Sequence, residues 1–382
     1  MRMEPTYVKR RQRGLAVLIT TLILVVGAVV YIGVNRSSGP ADFEGQGNGV
    51  VKLVEIQEGS SISALGPELV ELGVVASDAA FQTAALSNPQ ASSVTPGFYR
   101  LQEEMSAEAA VSALLNPDNQ VSMLDIPGGA TLMDVTVVGG STTPGIYSLI
   151  SQVSCEETPG DCITVEQLQS VAASTDPADL GVPEWAREQV LARGDDPKRL
   201  EGLIVPGQYV VNPGADATEV LTDLVTRSAT AYTNTGIVER AQALGLSPYE
   251  LLTAASLVER EAPAGDFNRV ARVILNRLAV PMRLEFDSTV NYGLADQEVA
   301  TTDEDRATVT PWNTYAMDGL PATPIAAPSI EAIEAIENPA EGDWLFFVTI
   351  DAQGTTVFTN TFEEHQAATQ DALNNGILDS NR

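Results

Sequence analysis

The sequence is poor in the residues that most often carry metal and thiol chemistry. Among its 382 residues there are one histidine, His365, and two cysteines, Cys155 and Cys162. These counts nearly exclude a zinc site with histidine and cysteine ligands. They also nearly exclude a cysteine–histidine nucleophile, whose two roles need separate residues. We therefore expect neither a metal nor a cofactor.

Basic residues are also scarce. The chain has 21 Lys and Arg against 51 Asp and Glu, which gives a net charge of −30. Because a body this acidic repels the phosphates of nucleic acids and the headgroups of anionic lipids, we expect neither as a partner of the folded chain. The charge by itself indicates no substrate.

One apolar run, residues 14–34, is long enough to span a bilayer, and it holds no charged side chain. Four basic residues lie between positions 9 and 13, and acidic residues dominate after the run. The positive-inside rule therefore predicts a cytoplasmic tail at 1–13, a transmembrane helix at 14–34 and an outside location for the rest. The alternative is a cleaved signal peptide, but its apolar region would normally be shorter, with a clear cleavage motif after it.

Cys155 and Cys162 flank a short segment rich in turn residues, on the predicted outside of the membrane. Such a pair can close a small disulfide in an oxidising compartment, and two free thiols are the alternative. Since no histidine or basic cluster is adjacent, the pattern indicates no thiol chemistry.

The rest of the chain predicts an α+β protein in several parts. A flexible linker at 35–49 leads into a small α+β unit at 50–118, in which strands alternate with capped helices. Residues 119–200 read as a connecting region that contains the cysteine loop and an Arg-Gly-Asp triplet at 193–195. Three residues match an adhesion motif too often by chance, so we interpret the triplet as a loop. Residues 201–382 predict a mixed α/β domain.

A well-delimited helix begins after Ser247, which suits the N-cap position. Pro248 fits the first helical residue, and Glu250 completes a capping box. Pro263 ends the helix, because proline disfavours α geometry in the residue before it.

Two glutamates lie near the end of this helix, and at about 100° per residue they point apart. Glu261 is in the last turn, where the negative end of the helix dipole raises the pKa of a carboxyl and suits it to donate a proton. The alternative is that Glu259 and Glu261 are both solvated surface acids, as most helical glutamates are.

These residues and several later blocks resemble the YceG-like family of endolytic peptidoglycan transglycosylases. The blocks follow the family's order: ASLVEREA at 255–262, VARVILNRL at 270–278, MRLEFDSTVNYG at 282–293, Asn-Thr-Tyr at 313–315, GLPATPI at 319–325 and Glu-His at 364–365. The resemblance is strong over 250–370 and looser over 50–230, where the unit at 50–118 is similar to the family's LysM-like part.

The resemblance implies an enzyme that cuts the β-1,4 bond between N-acetylmuramic acid and N-acetylglucosamine inside a glycan strand. The muramoyl C6 hydroxyl attacks its own C1 and leaves a 1,6-anhydro end. One glutamate protonates the leaving oxygen and then acts as a base, and this role maps onto Glu261. Because the attack is intramolecular, the second carboxylate of an ordinary glycosidase is not needed.

The resemblance also implies supporting roles. Four residues match family positions that line the cleft: Asp287, Tyr292, Asn313 and Tyr315. We expect them to orient the sugar and to contact Glu261. Glu259 is expected to form a structural hydrogen bond, and His365 is matched by the Glu-His block. A lone histidine at a helix start is more often a structural hydrogen-bonder than a catalyst.

The chain departs from the family pattern at several positions. Glu285 stands where the family usually has glutamine, Ser288 where it has proline, and Trp312 where it has tyrosine. The Glu285 change adds a charge near the groove and bears on substrate preference and pH optimum. None of the changes removes the expected acid.

Three functions remain open at this point. The first is this lyase in the bacterial plasma membrane, acting outside on nascent peptidoglycan beside the wall-synthesis enzymes and terminating glycan elongation. The second is a non-catalytic peptidoglycan-binding scaffold. The third is an unrelated secreted hydrolase that uses Glu259 and Asp287.

Overall fold

A computed structural model describes the chain in eight stretches: residues 21, 24–26, 40–57, 60–157, 160–212, 214–280, 282–298 and 301–377. The predicted cytoplasmic tail at 1–13 lies outside them. So does the predicted span at 14–34, apart from Thr21 and residues 24–26, which are helical. No helix within the described stretches is both long and apolar enough to cross a membrane. The chain divides into two compact units, Met1–Val121 and Ser122–Arg382.

The first unit combines a two-stranded antiparallel sheet with short helices. Strand β1 (Val51–Ile56) pairs with β2 (Gly97–Gln102). Three α-helices accompany the sheet: α1 (Gly66–Glu71), α2 (Asp78–Ser87) and α3 (Ala107–Leu115). The inner face of β1 places Val54 and Ile56 in the core, as a strand with one buried face requires. The predicted α+β character of this part is confirmed.

Among its described residues, the second unit contains three antiparallel pairs of strands. Strand β3 (Met123–Ile126) pairs with β6 (Gly207–Val210), β4 (Val135–Thr136) with β5 (Thr142–Thr143), and β7 (Phe346–Thr349) with β8 (Thr356–Thr359).

The helices of the second unit surround one continuous core. They are α4 (Ile146–Glu157), α5 (Val165–Ser174), α6 (Glu184–Ala192), α7 (Ala217–Thr235), α8 (Ile237–Leu244), α9 (Pro248–Glu261), α10 (Phe267–Ala279), α11 (Asp287–Gly293), α12 (Asp303–Ala307), α13 (Ile330–Glu337) and α14 (Phe362–Asn374).

The division of the chain differs from the one expected from the sequence. Residues 119–200 were expected to connect two domains, but the structure places Ser122 and everything after it in one unit. The reason is a long-range pairing. Strand β3 pairs with the distant strand β6. Leu124 and Tyr209, which face each other in this pair, share the main core.

The predicted disulfide is present between Cys155 and Cys162. It joins the last turns of α4 to the segment that leads into α5. Beside it, the Ser154 hydroxyl accepts a hydrogen bond from the Ile163 N–H at 2.9 Å. The covalent and the polar link therefore fix the same short loop.

Helix α9 lies in the middle of the second unit, and its sequence signals are confirmed. Ser247 and Glu250 form the predicted capping box, and Pro248 is the first helical residue. Tyr249 and every residue from 251 to 258 are buried, whereas Glu250 is exposed. Because the neighbouring helices α8, α10 and α13 pack around it, the position of its C-terminal end is firmly fixed.

Candidate active site

Glu261 is the last residue of α9 and is half-buried. Burial raises the pKa of its carboxyl, and the charge of Asp287 raises it further. Ser288 and Arg260 act in the opposite direction, but burial is the largest influence. The carboxyl therefore keeps its proton to a higher pH than an exposed glutamate does. The sequence predicted this direction from the helix dipole, whereas the structure assigns it mainly to desolvation.

Ser288 lies beside Glu261, one residue into helix α11, and its side chain and backbone both favour the ionised carboxylate. Its hydroxyl is buried, yet within the described residues it forms no hydrogen bond of normal geometry. Buried polar atoms nearly always have a partner, so an unpaired hydroxyl next to an acid is unusual. The sequence marked Ser288 only as a departure from the family pattern.

The carboxylate of Asp287 is held by three donor side chains. Its Oδ1 accepts hydrogen bonds from the hydroxyls of Thr301 and Tyr315, each at 2.8 Å. Its Oδ2 lies 3.0 Å from Nη2 of Arg306. Burial alone would raise the pKa of Asp287, but these partners outweigh it and hold the pKa below its usual value. Asp287 is therefore a fixed negative charge next to Glu261. The sequence missed Arg306, which sits in a short acidic stretch.

Asn313 and Tyr315 build the other side of this cluster. Asn313 is almost fully buried, and its side-chain amide donates to the backbone carbonyls of Arg306 at 3.0 Å and Thr308 at 2.6 Å. Its Oδ1 accepts from the Tyr315 N–H at 2.9 Å. With both ends of its amide occupied, Asn313 holds Arg306 and Tyr315 in place and presents no free group to a sugar.

Glu259 points away from this cluster, as the helix geometry predicted. Its Oε2 accepts hydrogen bonds from the N–H of Ser329 at 2.9 Å and from the Ser329 hydroxyl at 2.6 Å. Ser329 is the N-cap of α13, so Glu259 anchors the start of that helix. A side chain at Gly128 would come within 2.2 Å of the Glu259 Oε1, which shows how closely the backbone approaches.

Tyr292 contacts a residue that the sequence did not indicate. Its hydroxyl donates to Oε2 of Glu201 at 3.0 Å, and the N–H of Leu132 donates to Oε1 at 3.2 Å. Glu201 is only 1% exposed, and burial raises the pKa of its carboxyl to about 7. The available signal was a single carboxylate in the otherwise apolar run at 200–205.

The rings of Tyr292, which is buried, and Trp312, which is half-buried, pack against each other. They meet edge to face with centroids 5.3 Å apart. Lys198 Nζ lies 5.1 Å from the Tyr292 ring centroid, and the Arg193 guanidinium lies 5.0 Å from that of Trp312. These are cation–π distances, so the Arg-Gly-Asp loop packs onto the aromatic pair.

His365 lies in another environment. Its ring stacks on Phe346 with centroids 5.1 Å apart, and its buried Nδ1 has no partner among the residues the structure describes. Burial lowers the pKa of His365, and the charge of Arg277 lowers it further, so both favour the neutral ring. It has no hydrogen bond to Glu261 or Asp287.

The structure therefore brings together part of the predicted set. Glu261, Asp287 and Tyr315 form one cluster with Ser288 and Arg306, which the sequence did not single out for the site. Asn313 supports this cluster from behind, and Glu259, Tyr292 and His365 serve other contacts.

No group of three or more His, Cys, Asp or Glu in the described stretches could hold a metal ion. Glu285, exposed near Tyr315, adopts a left-handed φ of 51°.

Known proteins resemble this chain over most of its length. The YceG-like family matches residues 54–371. A Bacillus subtilis (strain 168) protein named endolytic murein transglycosylase is 28% identical over 323 residues, or 82% of this chain and 83% of that protein. A Streptococcus pneumoniae serotype 2 (strain D39 / NCTC 7466) protein of the same name is 25% identical over 336 residues, covering 85% of this chain and 59% of that protein.

The fold agrees with these similarities. The crystal structure of a YceG-like protein from Listeria monocytogenes aligns with a TM-score of 0.55 and 26% sequence identity. The alignment covers 83% of this chain and 98% of the Listeria chain. Because the family match runs from β1 to α14, the chain belongs to the YceG-like family.

Proposed function

We propose that this chain is a peptidoglycan lytic transglycosylase that cuts within glycan strands, and that Glu261 is its catalytic acid and base. The observation that carries the proposal is the environment of Glu261. It is a half-buried carboxyl whose pKa is raised by burial, beside an Asp287 that stays ionised. A carboxyl whose pKa is raised and which lies close to a surface is suited to donate its proton to a leaving oxygen.

The reaction runs in two proton transfers through one residue. Glu261 gives its proton to the glycosidic oxygen as the bond between that oxygen and C1 of the muramoyl sugar breaks. The resulting carboxylate then takes the proton of the C6 hydroxyl as the C6 oxygen bonds to C1. The products are a free N-acetylglucosamine hydroxyl and a 1,6-anhydro muramoyl end, and Glu261 is protonated again.

The other nearby carboxylates are unsuited to the second role of a hydrolase. A hydrolase needs either a nucleophile or a base that activates water. Asp287 has both oxygens engaged by Arg306, Thr301 and Tyr315. Glu259 is bonded to Ser329 at the start of α13. An attack by the substrate's own hydroxyl needs neither of them, which favours the lyase over the hydrolase with Glu259 and Asp287.

We place the enzyme at the outer face of the bacterial plasma membrane. The uncharged run at 14–34 supports a single-pass anchor with the N-terminus in the cytoplasm, and the Cys155–Cys162 disulfide suits an oxidising outside compartment. The first unit is proposed to be LysM-like. Peptidoglycan glycan strands are the partner, and termination of nascent strands beside the synthesis enzymes is the proposed role.

Product analysis tests this function. The full-length chain is incubated with uncrosslinked glycan strands, and the products are identified by mass spectrometry. We expect 1,6-anhydro ends, and E261Q should reduce their rate of formation about 10²- to 10⁴-fold, the usual contribution of a general acid–base group. Reducing ends would indicate a hydrolase instead. Binding without any cleavage would indicate a scaffold.

A further inference from the structure

The hydroxyl of Ser288 lies beside Glu261 and forms no hydrogen bond of normal geometry within the described residues. This hydroxyl is buried and unpaired, although two neighbours along the chain have partners. Asp287 is fully engaged by its donors, and the Thr289 hydroxyl donates to the Phe286 carbonyl at 2.6 Å. A buried hydroxyl without a hydrogen bond costs stability, so its presence calls for a physical reason.

We propose that the Ser288 hydroxyl donates a hydrogen bond to the Glu261 carboxylate after that group has given up its proton, and so acts as a positioning residue for the base step. The inference rests on the proposed function. While Glu261 is protonated, its carboxyl needs no donor from Ser288. After proton transfer, a hydrogen bond stabilises the new negative charge on Glu261. The Ser288 hydroxyl is already in place and can donate this hydrogen bond without reorganisation.

The other charges around Glu261 leave this need unmet. Asp287 on α11 is negative and disfavours the carboxylate. Arg260, its neighbour on α9, favours the carboxylate but is exposed and donates to the Gly129 carbonyl at 3.3 Å. Arg277 on α10 interacts with Glu261 only through its charge, and its Nε donates to the Leu345 carbonyl at 2.6 Å. Beside the Ser288 N–H, which also favours the carboxylate, the Ser288 hydroxyl is thus a neutral donor available at the site.

The test compares S288A and S288T with the wild-type full-length chain. On uncrosslinked glycan strands, we expect S288A to lower kcat for 1,6-anhydro product about 10- to 100-fold, with little change in KM, since a hydrogen bond to a charged group is lost. The basic limb of its pH–rate profile should move to higher pH, because the carboxylate is less favoured and Glu261 keeps its proton longer. S288T keeps the hydroxyl and should retain the wild-type profile.

Ser256 provides a matched control on helix α9. Its buried hydroxyl donates to the Thr253 carbonyl at 2.7 Å and accepts from the Ile325 N–H at 3.1 Å. S256A should therefore lower Tm without moving the pH limb. At a pH where Glu261 is protonated, S288A should leave Tm unchanged or raise it, because the hydroxyl that it removes then has no partner.

The outcomes separate the two proposals. If wild type forms anhydro ends, E261Q does not, and S288A matches wild type in kcat and pH limb, the role of Ser288 is refuted and the function stands. A fall in Tm for S288A with an unmoved limb also refutes it, since the role is then only structural. If wild type forms no anhydro ends or E261Q is fully active, both proposals fail together.

Discussion

Three carboxylates of the second unit, at positions 259, 261 and 287, show how the environment of a residue decides its chemistry. One accepts two hydrogen bonds from Ser329 and anchors a helix. Asp287 is engaged by three donors that hold its pKa low, whereas Glu261 is desolvated and its pKa is raised. Their residue types alone did not distinguish these roles. Helix periodicity separated Glu259 from Glu261, but nothing in the local sequence placed Arg306 and Thr301 on Asp287.

Replacement of Asp287 should change the pH dependence of the reaction that Glu261 catalyses. The negative charge of Asp287 raises the pKa of Glu261, so D287N should lower that pKa and move the basic limb of the pH–rate profile to lower pH. The rate at the optimum should fall as well, because Arg306 loses its ionic partner. The measurement is the pH profile of anhydro-product formation. A limb that stays in place or moves upward would contradict the proposed coupling.

At the scale of elements, the helices are better predicted than their contacts. Ser247, Pro248 and Glu250 lie within four residues of one another, and the start of α9 follows from them. Pairing between distant segments has no such local signal. Strand β3 could not be assigned to β6 across some eighty residues of chain, nor Tyr292 to Glu201 across 91. The sequence therefore predicted the capped helix but neither the division of the chain nor the surroundings of the site.

The hydrogen bonds between Glu259 on α9 and Ser329 at the start of α13 should stabilise the folded protein. E259A removes the acceptor of the Ser329 N–H and hydroxyl, and should lower the free energy of unfolding by about 1–3 kcal/mol. S329A removes the N-cap and should cost about 1 kcal/mol. Because the two variants share one hydrogen bond, the double variant should lose less than the sum. Denaturant titration measures all three. An E259A enzyme with wild-type stability and no activity would speak against this role.

At the scale of the whole molecule, Glu201 should couple folding to pH. Its folded-state pKa of about 7 lies above the unfolded value near 4.5, so the protonated form favours folding. Its contribution is complete below the unfolded pKa and is lost as pH rises through 7. The difference between these two pKa values corresponds to roughly 3 kcal/mol.

The variant E201Q isolates this contribution, since glutamine keeps the shape but does not titrate. The free energy of unfolding should fall between pH 4.5 and 7 more steeply for wild type than for E201Q. Urea titrations across that range, with both proteins at equal ionic strength, measure the difference. Parallel curves would show that Glu201 titrates at its ordinary pKa.

The Cys155–Cys162 bond has a practical consequence for producing the protein. It closes a loop of about eight residues, and a loop of that size contributes on the order of 2 kcal/mol through the entropy of the unfolded chain. Protein made in a reducing bacterial cytosol lacks this contribution, whereas protein exported to the periplasm acquires it. Variants of this enzyme should therefore be compared in stability only when they are produced by the same route of expression.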